Sequence, residues 1–313
     1  MKAELRAERP PLSGAGLFCE ERWLTPFAHT FRRTLEWLVC MDGDQLLAAM
    51  PVFSRKKYGL RAAANPPMVP YLPLHYEPLP GSRETTVQRL HLEACLAMAH
   101  VLRARFHKMN IPIGPGITDV RGFLWGGLNA RPAYTHLIDL NARQCTHDSK
   151  KEALRKARHF ALELREEQDA SVFLRLQRLT YERQNKQVYA ADYLLRPLLE
   201  RLFEAGCLRQ FTAYVQGVAV STHLWLFGAA EHHVFAWLGA NDPDWLTHGI
   251  STWCYCEIFR RMRDEGYATL DLCGANMPHL NHYFSTFGGE LAINFRIGKE
   301  LPGLLRLLPG GNS

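Results

Sequence analysis

The apolar positions of this chain change period several times, and each change marks an element. Trp37 to Met41 and Leu46 to Phe53 are apolar runs on either side of the turn Asp42-Gly43-Asp44. Far downstream, Leu208 to Val215 and Val218 to Phe227 flank Gln216-Gly217 in the same way. Short apolar, β-prone runs on both sides of a short glycine turn predict a β-hairpin, because such turns need residues that accept positive φ. Each hairpin shares its half of the chain with a segment of helical period, Thr86 to Lys108 in the first and Ile250 to Glu265 in the second. Two similar α/β units in tandem, each with its own mixed sheet, are the economical reading. The boundary falls between Asn141 and Ser149, where strand-like Thr135 to Leu140 gives way to Asp148 and Ser149, residues suited to cap a helix. The expected domains are residues 1–145 and 146–313.

The most informative run lies between residues 231 and 296. An apolar strand, His233 to Gly239, leads through Asn241, Asp242, Pro243 and Asp244 to Gly249, which opens a helix ending near Gly266. A strand Thr269-Leu270-Asp271-Leu272 follows, then a short helix carrying His279, His282 and Tyr283, then Phe287-Gly288-Gly289 and a last strand. A turn that feeds a helix from a strand end leaves backbone N–H groups free at the positive end of the helix dipole, which suits the anionic tail of a donor molecule. The expected donor contacts are the loop amides of Thr247, His248, Gly249 and Ile250 together with the Ser251 and Thr252 hydroxyls. A strand splaying near Leu238, Gly239 and Ala240 would offer a backbone N–H to a carbonyl, with Gly239 permitting close approach. An ordinary turn without a ligand is the competing reading.

Composition narrows the class. With 47% hydrophobic residues among 313 the chain can bury large cores. No apolar run is long enough to span a bilayer, and Met1 to Pro11 is charged where a secretory leader needs an apolar centre, so a cytoplasmic protein without a membrane span is expected. The eight cysteines form no CxxC pair and are expected to be reduced and buried. The net charge of +6 suits an anionic ligand, but no basic strand studded with aromatics points to DNA. Lys150, Lys151, Arg155, Lys156 and Arg158 form the densest basic patch, on a predicted helix with the apolar stripe Leu154, Ala157, Phe160/Ala161 and Leu164. A solvated helix face is the plain reading of that patch, and contact with a phosphate-bearing or RNA substrate the alternative. His232 and His233 are neighbours in a strand and face opposite ways, so no metal pair is expected. No GxSxG, HExxH, phosphate-loop or GxGxxG motif accompanies these features.

Thr25-Pro26-Phe27, Ala48-Ala49-Met50-Pro51-Val52, the Arg155-Lys156-Ala157 helix, the Gly217-Val218-Ala219 turn and Phe287-Gly288-Gly289 occur in an order that resembles the FemAB-like branch of the GNAT acyltransferase superfamily. That branch includes the peptidoglycan bridge-forming aminoacyltransferases and the cellulose-operon acetyltransferase-like proteins. The resemblance implies an α/β fold of two tandem GNAT-like domains, a donor site in the second domain and an acceptor groove between the two. It also implies transfer of an acyl or aminoacyl group from a thioester or an aminoacyl-tRNA to an amine. The segment Tyr181, Arg183, Asn185, Lys186 and Tyr189 resembles the family's acceptor-facing segment, and Trp237 is assigned to the same groove. Two departures stand out. The family's donor loop is matched only in part, with Leu246 where a Gln or Arg is usual, and Phe284 stands where many relatives carry a lysine. The helical stretch from Lys150 to Tyr189 holds no heptad pattern long enough for the coiled-coil arm that tRNA-using relatives often carry.

Direct amide formation needs a neutral amine, a polarised thioester carbonyl and a proton for the departing sulfur. Asp271, His282 and Tyr283 are the acid/base candidates, with His279 beside them: Tyr283 as the acid by its place in the fold, His282 as the base because imidazole titrates near neutrality. The leading reading is an N-acyltransferase using acyl-CoA or an acyl carrier protein, with no metal, acting on an amine of a small molecule, sugar or peptide. The alternatives are an aminoacyl-tRNA-dependent transferase acting on a cell-wall precursor, and a degenerate GNAT-like module that only binds.

Overall fold

The computed structural model describes residues 1–142, 145–188, 190–229 and 232–301. The chain divides into two compact units, the first taking Met1–Ala133 and the chain from Ile293 onward, the second Tyr134–Ala292. Both are mixed α/β.

The first unit is built on β1 (Lys2–Arg6), β2 (Thr34–Asp42), β3 (Gln45–Lys57), β4 (Leu60–Ala64), β5 (His75–Tyr76) and β6 (Lys108–Ile113), with α1 (Glu21–Thr30), α2 (Glu84–Arg105) and α3 (Arg121–Trp125). Its strand order is β1-β2-β3-β4-β6, with β5 on β3 and the end of the chain's last strand on β6. The predicted hairpin is β2–β3, registered from Thr34↔Ser54 to Asp42↔Gln45. α2 stops at Arg105, short of the expected Lys108, because Lys108 already pairs with Ala62 of β4. Its buried stripe Ala94, Cys95, Met98, Ala99 and Leu102 covers the sheet, and α3 lies so close that a methyl group on Gly122 would sit 2.4 Å from Cys95 Cβ.

The second unit runs β7 (Asn129–Asp139, of which the part from Tyr134 belongs here), α4 (Asp148–Ala157), β8 (Leu162–Glu167), α5 (Ala170–Arg183), α6 (Asp192–Glu204), β9 (Leu208–Val215), β10 (Val218–Phe227), β11 (His233–Asn241), α7 (Ile250–Asp264), β12 (Thr269–Asp271), α8 (Pro278–Ser285) and the start of β13 (Glu290–Lys299, of which the part from Ile293 belongs to the first unit). The strand order is β7-β12-β11-β10-β9-β8. Gln216 and Gly217 turn the second hairpin with φ of 50° and 79°, the pair of positive values such a turn requires. The basic helix ends at Ala157, and Leu164, the last member of its expected stripe, lies instead in strand β8, paired with β9 from Leu162↔Val215. α7 buries Ile250, Cys254, Tyr255, Ile258, Phe259 and Met262 against the sheet, where Phe211, Trp225 and Phe287 complete the core. Burial of such side chains contributes about 1.5–3 kcal/mol each.

One sequence expectation is overturned here. Cys145 and Cys256 are joined by a disulfide across 111 residues, so the eight cysteines are not all reduced. Cys19, Cys40, Cys95, Cys207 and Cys254 are free and buried, and Cys273 is free and partly buried. Cys254 and Cys256 do point to different faces of α7, one into the core and one toward Cys145.

Candidate functional site

Strand β11 fixes the geometry of the candidate site. It runs parallel to β12, but only His233, Val234 and Phe235 pair, with Thr269, Leu270 and Asp271. β12 ends there and β11 continues to Asn241, so the two strands part beyond Phe235. In that stretch the register with β10 slips: Leu224 faces Leu238 and Trp225 faces Ala236, which leaves Trp237 as the extra residue of a β-bulge. A bulge re-aims the backbone of one strand locally. Leu238, Gly239 and Ala240 follow directly. Gly239 is exposed, and a side chain there would begin 3.0 Å from Nδ1 of His223 on β10.

The chain leaves β11 through a 3₁₀ turn, Pro243–His248, started by Asp242, whose carboxylate accepts the Asp244 N–H at 3.0 Å. Gly249 then adopts φ 76° and opens α7 with no side chain capping the helix. The first-turn amides of α7 are therefore left to a ligand or to water. Gly249 also meets α4, since a Cβ on it would lie 2.1 Å from the Ala153 carbonyl oxygen. Thr247 is exposed at this turn, and His248 packs its ring on Phe160 and Trp245.

Tyr283, Ser251 and Thr252 come together. The Tyr283 hydroxyl lies 3.2 Å from Thr252 Oγ1 and donates to Ser251 Oγ at 3.4 Å, which ties α8 to the first turn of α7. Burial pushes the Tyr283 phenol up to about 12, while the two hydroxyl contacts pull the other way. His282, next in sequence, is exposed on α8, and its backbone carbonyl accepts from Ser285.

Asp271 serves a different neighbourhood. Fully buried, its Oδ1 accepts the Thr135 hydroxyl at 2.5 Å and the Cys273 N–H at 2.7 Å, while Thr135 Oγ1 accepts the Gly274 N–H at 3.1 Å. These bonds hold the loop after β12 to β7. Tyr181 and Arg183 lie in the last turn of α5, and Asn185 and Lys186 follow it, Asn185 with φ 50°. Trp237 is buried at the bulge. Tyr189 lies outside the described residues.

Two groups escaped the sequence reading. Lys150, counted there in the basic patch, is 2% exposed, and its Nζ lies 3.4 Å from the centre of the Tyr283 ring and 3.6 Å from that of Phe287. Burial alone pushes its ammonium down to about 7. The signal was present, since Lys150 is four residues before Leu154 and seven before Ala157 on the same stripe. His223 is 1% exposed in the middle of β10. Ser221 donates to Asn241 Oδ1 at 2.6 Å, so its oxygen is free to accept from His223 Nε2 at 3.1 Å. That leaves Nδ1 as an acceptor with no hydrogen-bond partner among the described residues, and burial pushes the imidazole down to about 3. Nothing but spacing within an apolar strand marked this histidine.

No group of three His, Cys, Asp or Glu residues among the described residues is arranged to hold a metal ion, and no helix among them is long and apolar enough to cross a membrane. Residues 143–283 match the acetyltransferase (GNAT) domain family. Among solved structures, the chain is similar to FemX, 11% identical over 88% of this chain and 92% of that one, with a TM-score of 0.59. It is similar to the C-terminal domain of a putative lysylphosphatidylglycerol synthetase from Agrobacterium fabrum, 11% identical over 93% of this chain and 96% of that one, with a TM-score of 0.55. A tandem GNAT protein from the clavulanic acid biosynthesis pathway is 11% identical over 95% of this chain and 98% of that one, with a TM-score of 0.51. No curated protein matches the sequence.

Proposed function

We propose that the chain, whose residues 143–283 match the acetyltransferase (GNAT) domain family, is an N-acyltransferase of the FemAB-like branch taking its acyl group from a thioester such as acyl-CoA. The observation that carries the reading is the parting of β11 from β12 beside an uncapped α7, with the Tyr283 hydroxyl set on the first turn of that helix. In this reading the donor's phosphates lie on the amides from Thr247 to Ile250 and the hydroxyls of Ser251 and Thr252. The thioester carbonyl meets a backbone N–H of β11 near Leu238, Gly239 or Ala240, where polarisation favours the tetrahedral intermediate.

The amine nitrogen attacks the carbonyl carbon, the new C–N bond forms, the C–S bond breaks, and the departing thiolate takes the proton of Tyr283. A phenol held near 12 is protonated at neutral pH and so begins in the form that can donate. His282 is assigned the removal of the amine's proton, and Tyr181, Arg183, Asn185, Lys186, Tyr189 and Trp237 the acceptor side. Asp271 is assigned to holding the loop that carries α8. Direct transfer uses no cysteine nucleophile, in keeping with burial that pushes the Cys254 thiol up to about 12 and raises that of Cys273. A thioester donor is preferred to an aminoacyl-tRNA because α5 and α6 are joined by the short segment 184–191, with no paired arm among the described residues. The cytoplasm remains the proposed compartment, although a disulfide such as Cys145–Cys256 persists more readily in oxidising ones.

Calorimetric titration with acetyl-CoA, followed by thiol release with a panel of primary amines, tests the reading. Tyr283→Phe is expected to bind the donor normally and to lower kcat by about 10²- to 10⁴-fold. No binding of acyl-CoA, or a Tyr283→Phe enzyme of full activity when chemistry limits turnover, removes it.

A further inference from the structure

A lysine at the centre of a folded unit normally has a carboxylate partner. Lys150 has none within ion-pair distance among the described residues. Its ammonium instead stands over the faces of two rings that meet edge to face, Tyr283 and Phe287, whose centres are 5.2 Å apart. A cation over an aromatic face is attracted by the ring's negative quadrupole, most strongly where water is excluded. The contact is mutual, because a positive charge on the face of a phenol stabilises the ring further when the phenol loses its proton.

We propose that Lys150 is a positioning residue for Tyr283: its ammonium, clamped between the Tyr283 and Phe287 rings, orients the phenol toward the start of α7 and stabilises the negative charge that forms there when the proton leaves. The inference rests on the reading of Tyr283 as the proton donor. It answers a difficulty in that reading. Burial makes the phenol a weaker acid than an ordinary thiol, so a proton passing from Tyr283 to a thiolate travels uphill. The hydroxyls of Ser251 and Thr252 hold the phenol oxygen and ease the transfer, but neither carries charge. The titratable groups packed nearby are Tyr255 and Cys254 of α7 and Cys273 of the loop after β12, and burial keeps each of them neutral. Among the described residues, Lys150 is the cation that touches the Tyr283 ring.

The first arm of the test needs no acceptor. 2,3,5,6-Tetrafluorotyrosine, whose phenol is acidic enough to ionise near neutrality while Lys150 still carries its proton, is placed at position 283 of the full chain, and its ionisation is followed by fluorine NMR as pH is raised, in the Lys150 protein and in Lys150→Met. Loss of the ammonium is expected to raise the titration midpoint by about one pH unit, the equivalent of a desolvated cation–ring contact. Lys150→Arg keeps the charge and is expected to hold the midpoint near its original place. Lys150→Gln serves as a second neutral variant should the methionine protein not fold. An unchanged or lowered midpoint in the neutral variants overturns the proposal. Turnover separates the two readings: slow Tyr283→Phe with fully active Lys150→Met removes the role of Lys150 and keeps that of Tyr283, whereas fully active Tyr283→Phe removes both. If Tyr283 is the donor and Lys150 acts through it, Lys150→Met slows kcat by about 10- to 30-fold in the Tyr283 protein and has no further effect in Tyr283→Phe.

Discussion

Lys150→Met is expected to stabilise the protein, and by an amount that depends on pH. The native ammonium is 2% exposed and has been pushed by burial from 10.5 to about 7. At 1.36 kcal/mol per pH unit that fall corresponds to about 5 kcal/mol of unfavourable burial, and the two ring contacts offset about 1–2 kcal/mol of it. A net cost of about 3–4 kcal/mol remains while the lysine is charged. The unfolded chain keeps this proton up to pH 10.5 and the folded chain only up to about 7, so between those values the unfolded state binds more protons and wild-type stability rises with pH. Below pH 7 both states are protonated and the cost is full. Methionine fills a similar volume and carries no charge. The variant should therefore melt higher than wild type by on the order of 10 °C at pH 6, with the gap shrinking at pH 8 and nearly closed at pH 10. Circular dichroism melts of both proteins in one buffer series give that difference directly, and other titrating groups cancel in it. A gap that stays flat from pH 6 to pH 10, or one that widens with pH, would refute the reasoning.

Gly249→Ala should lower the melting temperature sharply before it says anything about a ligand, because the residue needs φ 76° and its Cβ would overlap the Ala153 carbonyl; strain at the dihedral alone costs about 1–3 kcal/mol. A variant that melts like wild type would show that α4 does not pack on Gly249 as described. Asp271→Ala should cost about 2–4 kcal/mol by leaving the Thr135 hydroxyl and the Cys273 N–H unpaired. Unchanged stability together with a large loss of kcat would return Asp271 to the acid/base candidates.

The elements read correctly from the sequence are those settled by neighbours a few residues away. Both hairpins announce themselves by strand-like runs on either side of a glycine turn, and α7 by its apolar stripe behind Gly249. The misread boundaries are those settled by distant partners. Lys108 continues a helical pattern yet becomes a strand because Ala62 pairs with it, and Leu164 fits a helix stripe yet pairs with Ala213. The pairing of β13 with β6, Phe295 opposite Ile113, joins residues far apart in sequence and has no local signature. The Cys145–Cys256 bond is of the same kind, since spacing alone does not fix which cysteines meet.

The geometry of the candidate site was legible where it is built from backbone and illegible where a side chain works against its type. A strand end, a glycine and a helix start can be read in order, and so could Tyr283 on a short helix. Lys150 could not, although its register with Leu154 and Ala157 pointed inward, because a lysine in a run of basic residues is ordinarily solvated. What holds it inside is a pair of rings supplied by residues 283 and 287, far along the chain. Local rules broken without a stabilising return are expected at working sites, where the fold sets stability against chemistry. Lys150 meets that description in a form open to measurement. If it is only a packing accident, methionine should raise stability and leave the phenol at position 283 untouched. If it serves Tyr283, the same substitution should make the protein harder to melt and the phenol harder to ionise.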